Sequence, residues 1–287
     1  MRKIKVGGVP EHFNLPWHLA DQYGYFAQAN ISLEWKFYGG GTGAMTRALR
    51  EGEMDVCILL TEGIVADIIN GNPSCIISKY IETPLLWGIH TGAKNSLARH
   101  DQIYDRQYAI SRFGSGSHLM AKVDAFYNRT PLKDSQFIAI GNLEGALESL
   151  DLLETDVFYW EKFTTKPYVD SGQLRRIGEY PTPWPCFVIA ASNQIIEKDP
   201  ELLKDTLGVI YRMNREFMAH PDSPKMVSKR FDQKEADVLE WFGSTLWSTS
   251  NQISSATIEK VIFTLQHAGV LKEDQSLPVD QIVKHLW

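Results

Sequence analysis

Leu33-Glu34-Trp35-Lys36-Phe37-Tyr38-Gly39-Gly40-Gly41-Thr42-Gly43-Ala44-Met45-Thr46-Arg47-Ala48-Leu49-Arg50 is the stretch that decides the fold. It reads as a strand over 33–37, a glycine loop over 39–43 and a helix over 44–50. Glycine permits positive φ and removes the side chain, so successive backbone N–H groups can aim at one spot. That spot lies at a helix N-terminus, where unpaired donors and the helix dipole favour negative charge. Thr42 adds a hydroxyl. The loop reads as a cradle for an anionic or strongly polar small molecule, or as a strand-to-helix turn that needs glycine for its geometry.

The segments on either side repeat the pattern. Upstream, Ile4 to Val9 alternates as a strand and breaks at Pro10, and the loop Glu11 to Pro16 leads into a helix over Trp17 to Ala29. Downstream, the turn Gly52-Glu53-Met54-Asp55 enters Val56-Cys57-Ile58-Leu59-Leu60, an apolar run of the kind buried on both faces of a sheet. Thr61-Glu62-Gly63 ends that strand, a short helix covers Ile64 to Asn70, and Cys75 to Tyr80 is a further strand. Strands alternating with helices predict a mostly parallel sheet with right-handed crossovers. Ligands of such sheets sit outside the carboxyl ends of the strands. Those ends carry Pro10 to Asn14, Gly39 to Gly43 and Thr61-Glu62.

After the strand Leu85 to His90 the pattern restarts. A strand over Tyr108 to Ser111 runs into a second glycine-rich loop, Arg112-Phe113-Gly114-Ser115-Gly116-Ser117-His118, which opens a helix over Leu119 to Asn128. A strand over Gln136 to Ile140 ends at Gly141-Asn142, a helix covers Leu143 to Leu153, and the strand Asp156 to Glu161 ends in the pair Trp160-Glu161. Leu174 to Gly178 and Cys186 to Ala191 are strands. The remainder is helical, over Pro200 to Ala219, Glu235 to Trp247, Ser255 to Ala268 and Val279 to Trp287.

At 287 residues the chain is long enough for two lobes, and its eight tryptophans speak for a sizeable core. The formal charge of −6 argues against a nucleic-acid backbone as partner. No apolar run is long enough to span a membrane. The start, Met1 to Val6, runs straight into a strand without an apolar leader, which predicts a cytoplasmic protein. The three cysteines, Cys57, Cys75 and Cys186, form no C-x-x-C pair and read as reduced thiols. No G-x-S-x-G, Walker or H-E-x-x-H motif occurs, and His12 with His18 lacks the spacing of a metal site, so no catalytic residue, cofactor or metal is assigned.

Together these segments resemble the two-lobed, type II solute-binding proteins. More narrowly, the chain is similar to the family that holds nitrate-, taurine- and sulfonate-type receptors and the thiamine-pyrimidine synthase of fungi. The matching residues are Trp17-His18-Leu19-Ala20, Gly24-Tyr25-Phe26, Leu33-Glu34-Trp35, Gly41-Thr42-Gly43, Gly52-Glu53-Met54-Asp55-Val56 and Phe113-Gly114. The resemblance implies an α/β fold of two lobes joined by two crossing strands, closing by hinge motion on a small ligand in the cleft. It places residues 1–90 and 187–287 in one lobe and 91–186 in the other. The missing leader then suggests a cytosolic, fungal member of this group. In the resembling synthase a pyridoxal-bearing lysine and a histidine substrate fall at about Leu59 and Gly63, and a cysteine cluster falls where this chain reads Pro183-Trp184-Pro185-Cys186-Phe187. None of these matches, so the synthase's chemistry is not expected here.

The candidate ligand contacts are Phe13, Asn14, Gly41, Thr42, Gly43, Thr61, Glu62, Gly114, Ser115, Gly116, Ser117, His118, Asn142, Trp160, Glu161 and Trp184. The two glycine loops would hold an anionic group, and Glu62 or Glu161 a cationic one. Trp160, Tyr180, Trp184 and Phe13 are candidate aromatic walls. Among the histidines, His118 is the first candidate, His12 the second, and His18 reads as structural. The expected function is binding of a small anionic or zwitterionic metabolite, with a tie to thiamine precursors suggested by the resemblance. The alternative is an enzyme of thiamine-pyrimidine biosynthesis with a relocated cofactor site.

Overall fold

The computed structural model describes residues 1–287. The chain begins with strand β1 (Arg2–Gly8), a single 3-10 turn over His12–Asn14, and helices α1 (Leu15–Gln22) and α2 (Tyr25–Gln28). The sequence predicts one helix over Trp17 to Ala29; Gly24 divides it, because its φ of 73° lies in the left-handed region that a continuing helix cannot use. Strand β2 (Ile31–Phe37), helix α3 (Gly41–Arg50), strand β3 (Val56–Leu60), helix α4 (Thr61–Ile69) and strand β4 (Ser74–Ile81) come next. Both helices after the strand ends start earlier than their sequences suggest. Gly41 turns at φ 63° and opens α3 itself, and Thr61-Glu62-Gly63 is the first turn of α4, not a loop before it.

The middle of the chain holds strands β5 (Leu86–Gly92) and β6 (Tyr108–Ile110), helix α5 (Gly116–Tyr127), strand β7 (Phe137–Ala139), helix α6 (Leu143–Asp151), strand β8 (Val157–Glu161), helix α7 (Lys166–Asp170) and strand β9 (Leu174–Pro181). Strand β10 (Phe187–Ser192) and helices α8 (Asn193–Lys198), α9 (Pro200–Ala219), α10 (Ser223–Phe231), α11 (Glu235–Gly243), α12 (Ser255–His267) and α13 (Val279–Ile282) complete the chain. Helix α11 stops at Gly243, short of the expected Trp247. The terminal helix is one turn, after which Val283 bridges to Ile76 in parallel.

The chain forms two compact units. Unit 1 holds residues 1–83, 184–259 and 276–287, and unit 2 holds 84–183 and 260–275. The resemblance divides the chain after residues 90 and 186. By its contacts β5 lies wholly in unit 2, and residues 260–275, the end of α12 with the turn beyond it, belong there too.

Each unit is built on one five-stranded sheet, ordered β2-β1-β3-β10-β4 in unit 1 and β7-β6-β8-β5-β9 in unit 2. In unit 1, β1 pairs in parallel with β2 and β3, and β10 runs antiparallel to both β3 and β4. In unit 2, β6 pairs in parallel with β7 and β8, and β5 runs antiparallel to both β8 and β9. Four strands of each sheet thus share one direction, and the opposed strand is the first one formed after the chain enters or re-enters that unit. The sheets are mixed for that reason.

Every residue of β3 and of β10 is buried, as the apolar runs require of central strands. Strand β4 is the edge of its sheet, yet its edge is covered. Ser248 N–H donates to Tyr80, Glu82 N–H to Leu246, and Lys284 N–H to Ile76. Covering an edge in this way removes a template for pairing with other chains. No helix is long and apolar enough to cross a membrane.

Candidate functional site

In unit 1 the carboxyl ends of β2 and β3 open directly into α3 and α4. The first N–H groups of a helix have no partner within it, so Thr42 and Gly43 present donors there. The Thr42 hydroxyl is already in use: its Oγ1 accepts the N–H of Leu60 at 3.2 Å, tying the start of α3 to the end of β3. Helices α3 and α4 touch here because residue 63 has no side chain. A Cβ on Gly63 would lie 2.5 Å from Cγ2 of Thr42. Thr42 and Gly63 therefore form one packed contact, and Leu59, beneath it in β3, is fully buried.

The first turn of α4 also holds the segment by which the chain re-enters unit 1. Thr61 N–H donates to Cys186 O at 3.0 Å, Thr61 Oγ1 donates to Pro185 O at 2.5 Å, and Trp184 Nε1–H donates to Oε2 of Glu62 at 2.9 Å. Glu62 is completely buried, and its other oxygen, Oε1, has no partner. Burial pushes the Glu62 carboxyl up to about 7, against the opposing pull of the Trp184 bond. A buried carboxylate with an empty acceptor is costly, and Glu62 is the least satisfied acid of the predicted set.

Phe13 and Asn14 lie in the turn after β1, and both are buried. Phe13 belongs to the core: its ring meets His12, Phe187 and Trp241, and its carbonyl accepts Tyr80 Oη–H at 2.6 Å and Trp247 Nε1–H at 3.0 Å. Asn14 donates through Nδ2 to Val9 O at 2.8 Å and leaves Oδ1 unpaired. His12 is enclosed by Phe13, Phe231 and Trp241, and burial lowers its pKa to about 3, so it stays neutral. His18 packs on Trp35 and Phe37, the structural role that the sequence suggests.

In unit 2 the glycine loop after β6 closes on itself. Gly114 turns at φ 77°, and its N–H donates to Nδ1 of His118 at 3.0 Å. Ser111 N–H donates to Oγ of Ser117 at 3.1 Å, and the Ser115 and Ser117 hydroxyls share a bond at 3.0 Å. Ser115 precedes Gly116, the first residue of α5. The bond from Gly114 places the imidazole proton of His118 on Nε2, which is buried without a hydrogen-bond partner, and the ring stands perpendicular to Phe137 with centroids 4.6 Å apart. Burial lowers this histidine to about 4.

The remaining candidates in unit 2 are engaged by their own neighbourhood. Asn142 caps α6, its Oδ1 accepting Gly145 N–H at 2.9 Å. Trp160 stacks on Phe158 at 5.2 Å and packs against the cluster of Ala109, Ala146, Leu150 and Leu174. Glu161 accepts the N–H of Phe163 at 3.0 Å, the N–H of Thr164 at 2.7 Å and the hydroxyl of Thr164 at 2.8 Å. Its carboxyl is raised by burial and lowered by these donors.

One buried acid escaped the sequence reading. Asp124 is fully buried in α5 and accepts from Tyr159 Oη, from His100 Nε2 at 2.5 Å and from Asn128 Nδ2 at 2.9 Å. Its visible signal was an acid between Val123 and Ala125 in a helix whose only other charged residue is Lys122.

The family model described as Ca3427-like PBP matches residues 87–180. The Candida albicans CA3427 gene product, whose structure defines a new family with the generic periplasmic binding protein fold, is 30% identical, with a TM-score of 0.92 over 99% of this chain and 96% of that one. The chain belongs to the Ca3427-like family. More distant structures share the fold. The alkanesulfonate-binding protein SsuA of Xanthomonas axonopodis pv. citri, bound to MOPS, is 13% identical with a TM-score of 0.77, each chain covered to 99%. The periplasmic nitrate-binding protein NrtA of Synechocystis PCC 6803 is 13% identical with a TM-score of 0.71 over 99% of this chain and 86% of that one. No curated protein matches the chain in sequence.

Proposed function

We propose that this Ca3427-like protein is a binding protein for a small polar metabolite, anionic or zwitterionic, held at the strand-end loops of unit 1. The observation that carries the reading is Glu62: a fully buried carboxylate, in the first turn of α4 beside the donor-rich start of α3, with one oxygen unsatisfied. A ligand with an N–H or O–H donor would complete Glu62. An anionic group on the same molecule would meet the first-turn N–H groups of α3. That SsuA is alkanesulfonate-binding and NrtA nitrate-binding supports the class of ligand without naming it for this chain. On this reading the protein works as a receptor or sensor, and residues 59 and 63, a buried leucine and a glycine packed on Thr42, offer no amine or imidazole for cofactor chemistry.

A thermal-shift screen tests it, using nitrate, alkanesulfonates, amino acids, phosphorylated metabolites, pyridoxal phosphate and thiamine-pyrimidine precursors. A ligand at one hundred times its Kd stabilises the fold by about 2.7 kcal/mol. One chemical class should raise the Tm of the native protein and lose that effect in Glu62→Gln. A shift unchanged by the substitution, or no shift from any class, overturns the proposal.

A further inference from the structure

Unit 2 carries a cavity of about 230 Å³ where α5 and α12 end, lined by no residue of the candidate site. Its walls include Phe126, Pro131 and Leu132, and its basic lining residues are Lys122, Arg129 and His267.

Basic residues at helix ends often serve to cap the last carbonyls. Here the turns that end the helices already do so. After α5, the N–H groups of Asn128, Arg129 and Thr130 donate to Asp124, Phe126 and Ala125. After α12, those of Ala268, Gly269 and Val270 donate to Thr264, Gln266 and Leu265. Lys122 is buried, and its ammonium is taken by Asp134 at 2.8 Å and Gly269 O at 3.3 Å, so its charge is balanced. His267 spends Nδ1–H on Phe263 O at 2.8 Å and keeps Nε2 free. Arg129 makes no ion pair. It also sits at φ 60°, a left-handed position just past the helix where glycine is the comfortable residue. Arg129 is exposed, so its guanidinium is solvated and available to an anion seated on the apolar wall.

We propose that this cavity is a second binding site, for small amphiphilic anions: a carboxylate carried on an aromatic or short aliphatic body. An apolar cavity of ~150 Å³ holds one benzene ring, so the space here admits a ring bearing one carboxylate. The ring lies against Phe126 and Leu132, and the carboxylate pairs with the fork of Arg129 in the two-pronged geometry that guanidinium favours.

Benzoate is the probe, followed by calorimetry or ligand-observed NMR on the full-length chain, with benzyl alcohol as its neutral counterpart. Benzoate should bind the native protein at least tenfold more tightly than benzyl alcohol. Arg129→Gly should weaken benzoate about tenfold or more while leaving the Tm equal or higher, because glycine relieves the left-handed backbone. Leu132→Trp, which fills the cavity and retains the arginine, should abolish binding. Glu62→Gln should leave benzoate binding untouched, which separates this site from the one proposed above. Equal binding of benzoate and benzyl alcohol, full binding by Arg129→Gly, or loss of benzoate binding in Glu62→Gln would each overturn the proposal.

Discussion

Glu62 and Glu161 occupy comparable places in the two units. Glu161 is the last residue of β8, and Glu62 is two residues past the end of β3. They are 0% and 4% exposed, yet their surroundings differ in kind. Glu161 is wrapped by donors from Phe163 and Thr164, two and three residues on in its own chain, so its loop is a closed acceptor site that the sequence completes locally. Glu62 receives one side-chain donor, from a tryptophan 122 positions away, and keeps an empty oxygen. Equal burial thus conceals different surroundings: the first carboxylate finishes a turn, and the second keeps an oxygen without a partner.

The largest effect should fall on the closed site. Glu161→Ala strips two backbone N–H groups and a hydroxyl of their acceptor and should cost about 3 kcal/mol or more in urea unfolding. A loss below about 1 kcal/mol would break the comparison, because Glu161 would then be no better anchored than Glu62. Next comes the pH dependence. The Glu62 carboxyl titrates near 7 when folded and near its ordinary 4.5 when unfolded. A raised carboxyl favours the folded state while protonated, so its contribution is fully present below pH 4.5 and is lost as pH rises through 7. The span is about 3 kcal/mol. Glu62→Gln should flatten that slope, and an unchanged slope would place the titration elsewhere.

A smaller effect is expected one residue on. Gly63→Ala drives a methyl into Thr42 and should cost about 1–3 kcal/mol. Adding Thr42→Ser, which removes the opposing methyl, should restore part of it, and a double-mutant cycle measures the coupling. The smallest sharpens the idea of the locally finished acceptor. Asn142→Ala removes the cap of α6 and should cost about 1 kcal/mol in thermal unfolding.

The alternation of strands and helices was legible from the outset. The apolar run Val56 to Leu60 announced a central strand, and the glycines of 39–43 and 114–116 announced the strand-to-helix junctions. The opposed strands were not legible, since nothing local in Phe187 to Ser192 tells an antiparallel insertion from a parallel neighbour. Trp160-Glu161 looked like a ligand-facing pair because the donors lie after it, in Phe163 and Thr164, outside any strand signal. His12 looked accessible in its loop; the rings that enclose it, Phe231 and Trp241, are more than two hundred residues downstream. Local signals therefore marked where the sites begin, and long-range packing decided which side chains are spent.

The insertion of β10 between β3 and β4 bears on how the protein is made. A ribosome delivers β4 more than one hundred residues before the strand that must separate it from β3. Until then the sheet of unit 1 holds an open slot, and β4 has no neighbour to join. Unit 2 likewise waits for residues 260–275, made long after its strands. Unit 1 therefore depends on a pairing between distant segments, which forms slowly, and passes through an interval in which its unpaired strand edges are open to aggregation.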